Sequence, residues 1–299
     1  MTAATWACLV SLLTAQSLDK AVSALENGRF EEAIQTLSEI LSHAPDDPDA
    51  NYYLGLAHYR QGHNQEARRL LERAAHLAPS NASVWKALGT SQVAANDLQG
   101  AALSLGKACA LAPADGDSCY LQARTLYSLG RYEDAREPFD RSLRAAAPED
   151  LAKVHRAMAL NFEALMLPQD AERHFRDAVR YYRASMRVVE DPRVGYGAFL
   201  IRRGRALEAL EPLRQAVAAS RDSPRAYAEL GRALLDLDRP EAALPPLQRA
   251  VELDPNRWAV RMLLGKVYLR LGRTEEGERE TRISQDGLAR QDHGSSSIK

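Results

Sequence analysis

The sequence predicts an all-α protein, an α-solenoid of about eight helical hairpins, and three observations predict it. Hydrophobic residues make up 45% of the 299, aromatics only 6%, and no stretch carries the valine- and isoleucine-rich alternation of strands. Small residues recur in step: Gly55 and Gly89, then Gly231 and Gly265, are pairs 34 residues apart, with Ala123, Ala159 and Gly197 in the same slot between them. A second register, Ala33, Ala67, Ala101, Ala135, Ala171, Ala209, Ala243 and Gly277, steps by 34, 34, 34, 36, 38, 34 and 34, and a third runs Pro45, Pro79, Pro113 and Pro255. Finally, each repeat parses as two amphipathic helices divided by turn residues. One such hairpin cannot bury its apolar stripe alone, whereas stacked neighbours can.

Taken in order, the chain opens with "TWACLVSLLTA", residues 5 to 15, an apolar run of signal-peptide length and too short to span a bilayer, followed by small residues at Ala15 to Ser17. Residues 1–17 are therefore read as a signal peptide and the protein as exported, periplasmic or secreted. No lysine or arginine precedes the run, which leaves open a hydrophobic starter helix and a cytoplasmic location. Cys8 lies too near the start for a lipid-attachment motif. The array then fills residues 18–290, in units near 18–47, 48–81, 82–115, 116–150, 151–189, 190–223, 224–257 and 258–290.

The second unit sets the pattern. "NYYLGLAHYRQG" is its first helix, Gly62 closes it, "NQEARRLLERAAHLA" is the second, and Pro79 followed by "SNAS" ends the unit and offers caps to the next. In the third unit Gly89 lies inside a helix, at a cost of about 1 kcal/mol relative to alanine. Close approach to the partner helix, with Ala101 opposite, would offset that cost; Gly55 with Ala67 and Gly231 with Ala243 are the equivalent pairs. Cys109, late in the third unit, and Cys119, early in the fourth, flank a short loop, so a disulfide between them and a pair of reduced core cysteines are both open. In the fifth unit "PQDAERHFRDAVRYYRASMRVVED" reads as a longer second helix with Arg173, Arg176, Arg180, Arg183 and Arg187 on one face. Residues 173 to 205 hold nine arginines against three acids. That basic ridge would dock an acidic partner or be a solvated outer face. Pro138, Pro212 and Pro246 each follow their register alanine by three residues, where they bend the second helix slightly. The last unit ends in "TEEGERETRISQDGLARQ", charged nearly all round as a terminal solvating helix would be, and residues 291–299 read as a disordered tail.

Within the third unit Trp85-x2-Leu88-Gly89, Ala101-x3-Leu105 and Pro113 fall in fixed order, and Tyr227-x2-Leu230-Gly231, Ala243-x3-Leu247 and Pro255 repeat it. This pattern resembles the tetratricopeptide repeat, W-x2-L-G-x2-Y, then A-x3-F, then P over 34 residues. The resemblance implies a right-handed superhelix whose first helices line a concave groove for a peptide or partner protein. On that reading Tyr52, Tyr59, Lys86, Tyr120, Arg124, Tyr127, Arg156, Arg202, Arg232 and Lys266 face the groove; the alternative is that the tyrosines pack between neighbours and the charged residues are ordinary surface. The resemblance also admits a lysine and asparagine clamp for chaperone C-termini. Lys86 fits the lysine, but Thr90 stands one turn later and no repeat supplies the asparagine, so that mode is rejected.

Other classes find little support. There are 39 basic and 40 acidic residues, a net charge of -1 and a pI near 6.7, so the whole chain is not an electrostatic binder of nucleic acid or membranes. No phosphate loop, HExxH, paired CxxC or serine elbow occurs. No cofactor and no metal are expected: His58 and His63 straddle a helix end, and "DGDS" at 115 to 118 lacks the remaining ligands of a calcium loop. The expected function is a non-catalytic protein-interaction scaffold. The competing reading, an RNA-binding helical repeat using the Arg173 to Arg205 ridge, prefers a 35-residue period and a basic groove.

Overall fold

The computed structural model describes residues 16–183 and 190–296. Residues 1–15 of the segment expected to be a signal peptide, Cys8 within it, Arg187 and the last three residues lie outside the described residues, while residues 16 and 17 of that segment are helical. Among the described residues every regular element is an α-helix, and none is long and apolar enough to cross a membrane. The chain divides into two compact units, Met1–Ala147 with Ala164–Met166, and Pro148–Glu163 with Leu167–Lys299.

Unit 1 holds α1 (residues 16–26), α2 (Phe30–His43), α3 (Pro48–Arg60), α4 (Asn64–Leu77), α5 (Ala82–Ala94), α6 (Leu98–Leu111), α7 (Gly116–Ser128) and α8 (Arg136–Ala145). Unit 2 is built around α9 (Leu151–Ala164), α10 (Pro168–Tyr181), α11 (Pro192–Arg202), α12 (Ala206–Ala219), α13 (Pro224–Asp236), α14 (Pro240–Leu253), α15 (Trp258–Arg270) and α16 (Thr274–Ser296). From α2 to α8 and from α10 to α16, helices adjacent in sequence pack against one another, as a helical array requires. Five first helices, α3, α5, α7, α11 and α13, start on side-chain caps: Asp47 accepts from the Ala50 N–H at 2.8 Å, Asn81 from Ser83 at 3.0 Å and Asp191 from Arg193 at 2.9 Å. Proline at the first helical position sets the start of α3, α10, α11, α13 and α14.

The turn inside each hairpin shows the period most sharply. Residues 28, 62, 96, 130, 166, 204, 238 and 272 all have positive φ, and five of them are glycine. Asn96, Met166 and Asp238 take the other three places. Asparagine and aspartate tolerate this left-handed conformation, whereas methionine has no such compensation.

The register alanines from Ala33 to Ala243 are all fully buried, but they are not what fills the space above the glycines. A Cβ added to Gly89 would stand 2.5 Å from Leu105 Cγ, and one on Gly55 would stand 2.7 Å from Leu71 Cγ. The expected pairing of Gly89 with Ala101 is thus corrected: the leucine one turn further on lies against the glycine. Leu37, Leu71, Leu105, Phe139, Phe175, Leu213 and Leu247 occupy that position in successive hairpins, each at most 1% exposed. Burying each contributes about 2 kcal/mol, more than the glycine costs in helix propensity.

A second tie joins one hairpin to the next. Asn51 Nδ2, the Trp85 indole N–H and Arg261 Nε donate to the carbonyls of Pro45, Pro79 and Pro255 at 3.0, 2.8 and 2.9 Å. Each donor sits six residues after its proline. Six residues after Pro113 stands Cys119, and there the tie is covalent: Cys109 and Cys119 form a disulfide between α6 and α7, with their Cα atoms 4.8 Å apart.

Two expectations about helix length are corrected. α10 has 14 residues, the same as α4, α6, α12 and α14, and ends at Tyr181 because Tyr182 turns extended (φ -67°, ψ 135°). Arg183 therefore lies beyond the helix. Conversely, α16 continues through Ser296, into the segment expected to be a disordered tail, since extending an existing helix costs far less than starting one.

Candidate functional site

The first helices of unit 1 carry the groove residues expected there. On α3, Tyr52 and Tyr59 are half-buried, and the Tyr52 ring lies 4.9 Å from that of Tyr53. Burial, with Tyr53 beside it, raises the Tyr52 hydroxyl above its ordinary pKa. Lys86 of α5 reaches Asp115 at 3.1 Å and Asp117 at 3.0 Å on α7 and its cap. Burial alone would lower the Lys86 pKa, but the hydrogen bonds it donates to these two carboxylates, with their charge, outweigh it and raise it. Asp115 also caps α7 through the Asp117 N–H and accepts from Ser118 Oγ at 2.6 Å, so "DGDS" is the inter-repeat turn. Lys86 is thereby committed to its neighbours, and the Thr90 hydroxyl donates to the Lys86 carbonyl at 2.7 Å.

On α7, Tyr120 departs from the expected groove position. It is buried, edge-on to Phe139 with centroids 6.4 Å apart, because it directly follows the Cys119 tie and faces α8. Arg124 is exposed, with its guanidinium 5.8 Å from the Tyr120 ring, and Tyr127 is half-buried against Tyr132 at 5.3 Å.

In unit 2, Arg156 of α9 and Arg225 of α13 share Glu190, at 2.7 and 2.6 Å. These three line a cleft of about 570 Å³ together with Tyr182, Ser223 and Arg257. A smaller cleft of about 300 Å³ adjoins Arg225, Glu229, Arg232 and Arg257. Arg232 is half-buried and Lys266 exposed, while Arg202 grips Glu163 with two bonds at 2.8 and 2.9 Å.

Two arginines of the expected basic ridge, Arg173 and Arg176, are drawn into ion pairs. α10 carries Arg173, Arg176 and Arg180 against Asp170, Glu172 and Asp177. Arg173 meets Asp170 at 2.8 Å and Arg176 meets Glu172 at 2.6 Å, pairings set by helical spacing of three and four. Glu172 is also held by Arg205, whose hydrogen bond is the main cause of its lowered pKa. Arg183 donates to the carbonyls of Arg180 and Tyr182.

One cluster was not legible in the sequence. His155 of α9 and His174 of α10 are both buried, with their Nδ1 atoms 2.9 Å apart. The His155 ring stacks on Tyr181 (5.5 Å, 5°) and the His174 ring on Phe162 (5.2 Å, 4°). Burial lowers both imidazole pKa values, that of His174 to about 4, with the neighbouring His155 adding to the effect. The residues are 19 apart in sequence, and only the hairpin fold brings them together.

Comparison with known proteins agrees with this architecture. A family model described as tetratricopeptide repeat matches residues 18–82, 86–150 and 228–281. A tetratricopeptide repeat protein from Parabacteroides merdae shares the fold with a TM-score of 0.60 and 17% identity, covering 86% of this chain and 98% of that one. A MamA crystal structure aligns with a TM-score of 0.52 at 21% identity, over 56% of this chain and 91% of that one. MamA from MSR-1 aligns with a TM-score of 0.50 at 28% identity, over 57% and 97%. The Protein CTR9 homolog of Arabidopsis thaliana is 23% identical over 263 residues, 84% of this chain but only 24% of that protein's length. Repeat period, helix pairing and matched segments together place the chain in the tetratricopeptide repeat family.

Proposed function

We propose that the protein is a non-catalytic scaffold that binds a peptide or partner protein along its first-helix faces, and that it works after export to an oxidising compartment. The observation that carries the binding role is the pair of clefts on unit 2, bordered by side chains of α9, α13 and the loops ahead of α11 and α15. Their guanidiniums are held in place by Glu190 and neighbouring acids, which preorganises donors for an incoming backbone or carboxylate. The Cys109–Cys119 disulfide supports export, because such bonds persist mainly outside reducing compartments.

Photo-crosslinking in cells tests the binding role. A photoreactive residue at Arg232 or Lys266, on first helices, is expected to trap a protein partner, whereas the same residue at Arg214 or Arg249, on second helices, is not. Equal trapping from both faces overturns the reading. Crosslinked nucleic acid, with affinity that falls steeply as salt rises, would instead favour the RNA-binding alternative.

A further inference from the structure

Two buried histidines facing each other across a hairpin contribute nothing to a binding surface. Residues this polar are placed in a core at a desolvation cost, so the geometry of the pair is informative. The His155 and His174 Nδ1 atoms are 2.9 Å apart, and Asp177, one helical turn after His174, adds a carboxylate oxygen, so that one ligand atom from each of the three residues lies within 4.8 Å of the others. Stacking on Tyr181 and Phe162 fixes both ring planes in advance. Such preorganisation lowers the ordering cost of binding.

From this we infer that His155, His174 and Asp177 form a site for a divalent late first-row transition ion that clamps α9 to α10. This goes beyond the scaffold role and does not depend on it. Two imidazole nitrogens and a carboxylate oxygen are a donor set for nickel, copper or zinc rather than magnesium or calcium. The separation selects among them. With metal–nitrogen bonds of about 2.05 Å, nitrogens 2.9 Å apart subtend roughly 90° at the ion, the cis angle of a tetragonal or octahedral centre. A tetrahedral ion needs about 3.3 Å between them, so zinc has to push the rings apart. The ion takes the place of the shared proton of the histidine pair. The donor ring then carries its proton on Nε2, and both rings stay neutral. Asp177 is half-buried, and its carboxylate would complete the donor set directly or through a bridging water.

The full-length protein is tested with His58 and His63 both changed to alanine. That exposed pair, with Nδ1 atoms 3.4 Å apart, is the rival site. After incubation with Ni2+, Cu2+ or Zn2+ and desalting, elemental analysis is expected to find one Ni2+ or Cu2+ per chain. Zn2+ should bind more weakly, and saturating Ni2+ should raise Tm by about 5 °C or more. Asp177→Asn, which keeps size and helix, should weaken Ni2+ by about tenfold or more. His155→Gln with His174→Gln should abolish binding. Failure to retain metal, or retention unchanged in Asp177→Asn and in the folded double histidine variant, overturns the site. If the double variant does not fold, the Cu2+ electron paramagnetic resonance spectrum of the His58→Ala, His63→Ala protein decides: two coupled imidazole nitrogens support the site, and their absence sinks it.

Discussion

At the scale of single residues, Gly89 and Leu105 set the tightest constraint. A methyl group on Gly89 would stand 2.5 Å from Leu105 Cγ and 3.1 Å from the Leu105 backbone nitrogen, so the leucine cannot simply rotate clear. Gly89→Ala gains about 1 kcal/mol of helix propensity but overpacks the crossing by roughly 1–3 kcal/mol. A net loss is expected in urea unfolding, and Gly89→Leu should unfold the hairpin outright. Because the two residues touch, Gly89→Ala with Leu105→Ala should be less destabilised than the sum of the single changes. Additive values would mean that some other contact sets the constraint. His174 gives a second test, in metal-free protein with a chelator present. His155, Arg173, Asp177 and Asp170 are the titratable groups around it, and burial with His155 holds its folded pKa at about 4 against an ordinary 6.5. The unfolded chain therefore binds the proton first, so stability falls as pH drops below about 6.5 and the loss is complete below about 4. Between pH 7 and pH 5 this amounts to about 2 kcal/mol. Urea midpoints of the parent and of His174→Gln should show it: the variant should lose less over that interval, and equal losses would place the acid sensitivity elsewhere.

At the scale of an element, turns and ties differ in what they tolerate. Met166 holds φ +59° where five other hairpins use glycine, and its side chain is 79% exposed, so little packing offsets the conformation. Met166→Gly is expected to raise Tm, by up to about 1 kcal/mol of stability, whereas Gly130→Met in the equivalent turn should lower it. A drop for Met166→Gly would reveal a packing role for the methionine. The disulfide closes a loop of 10 residues between α6 and α7, where three other junctions have a hydrogen bond to a proline carbonyl. Loop-closure entropy for that length corresponds to roughly 2.5 kcal/mol. Reductant, or Cys119→Ser, should lower stability by about that amount, measured by denaturant unfolding with and without reducing agent. No change would mean that the thiols are free in the purified protein, which would also remove a support for export.

At the scale of the whole molecule, legibility followed periodicity. The alanine, glycine and proline registers were readable because a stacking array repeats the same local demand at each hairpin, and the left-handed turns at residues 28 to 272 follow the same steps of 34, 36 and 38. What stayed hidden was set by contacts between helices. Leu105, not Ala101, meets Gly89 because helix crossing places the next turn there. Arg173 and Arg176 of α10 are paired with Asp170 and Glu172, acids that a count starting at residue 173 leaves out. His155 and His174 meet only once α9 and α10 fold against each other. The same nearest-neighbour logic yields the last prediction. In an array each hairpin touches only its neighbours, so stability is a sum of local and interface terms rather than one global quantity. Damage in one place should spread only as far as those interfaces can carry it. Native-state hydrogen exchange on Gly89→Ala should therefore show amides of α5 and α6 losing most protection, those of α3, α4 and α7 losing less, and those of α13 to α15 keeping theirs. Uniform loss across both units would show that the chain unfolds as one cooperative body, and additivity by hairpin would have to be abandoned.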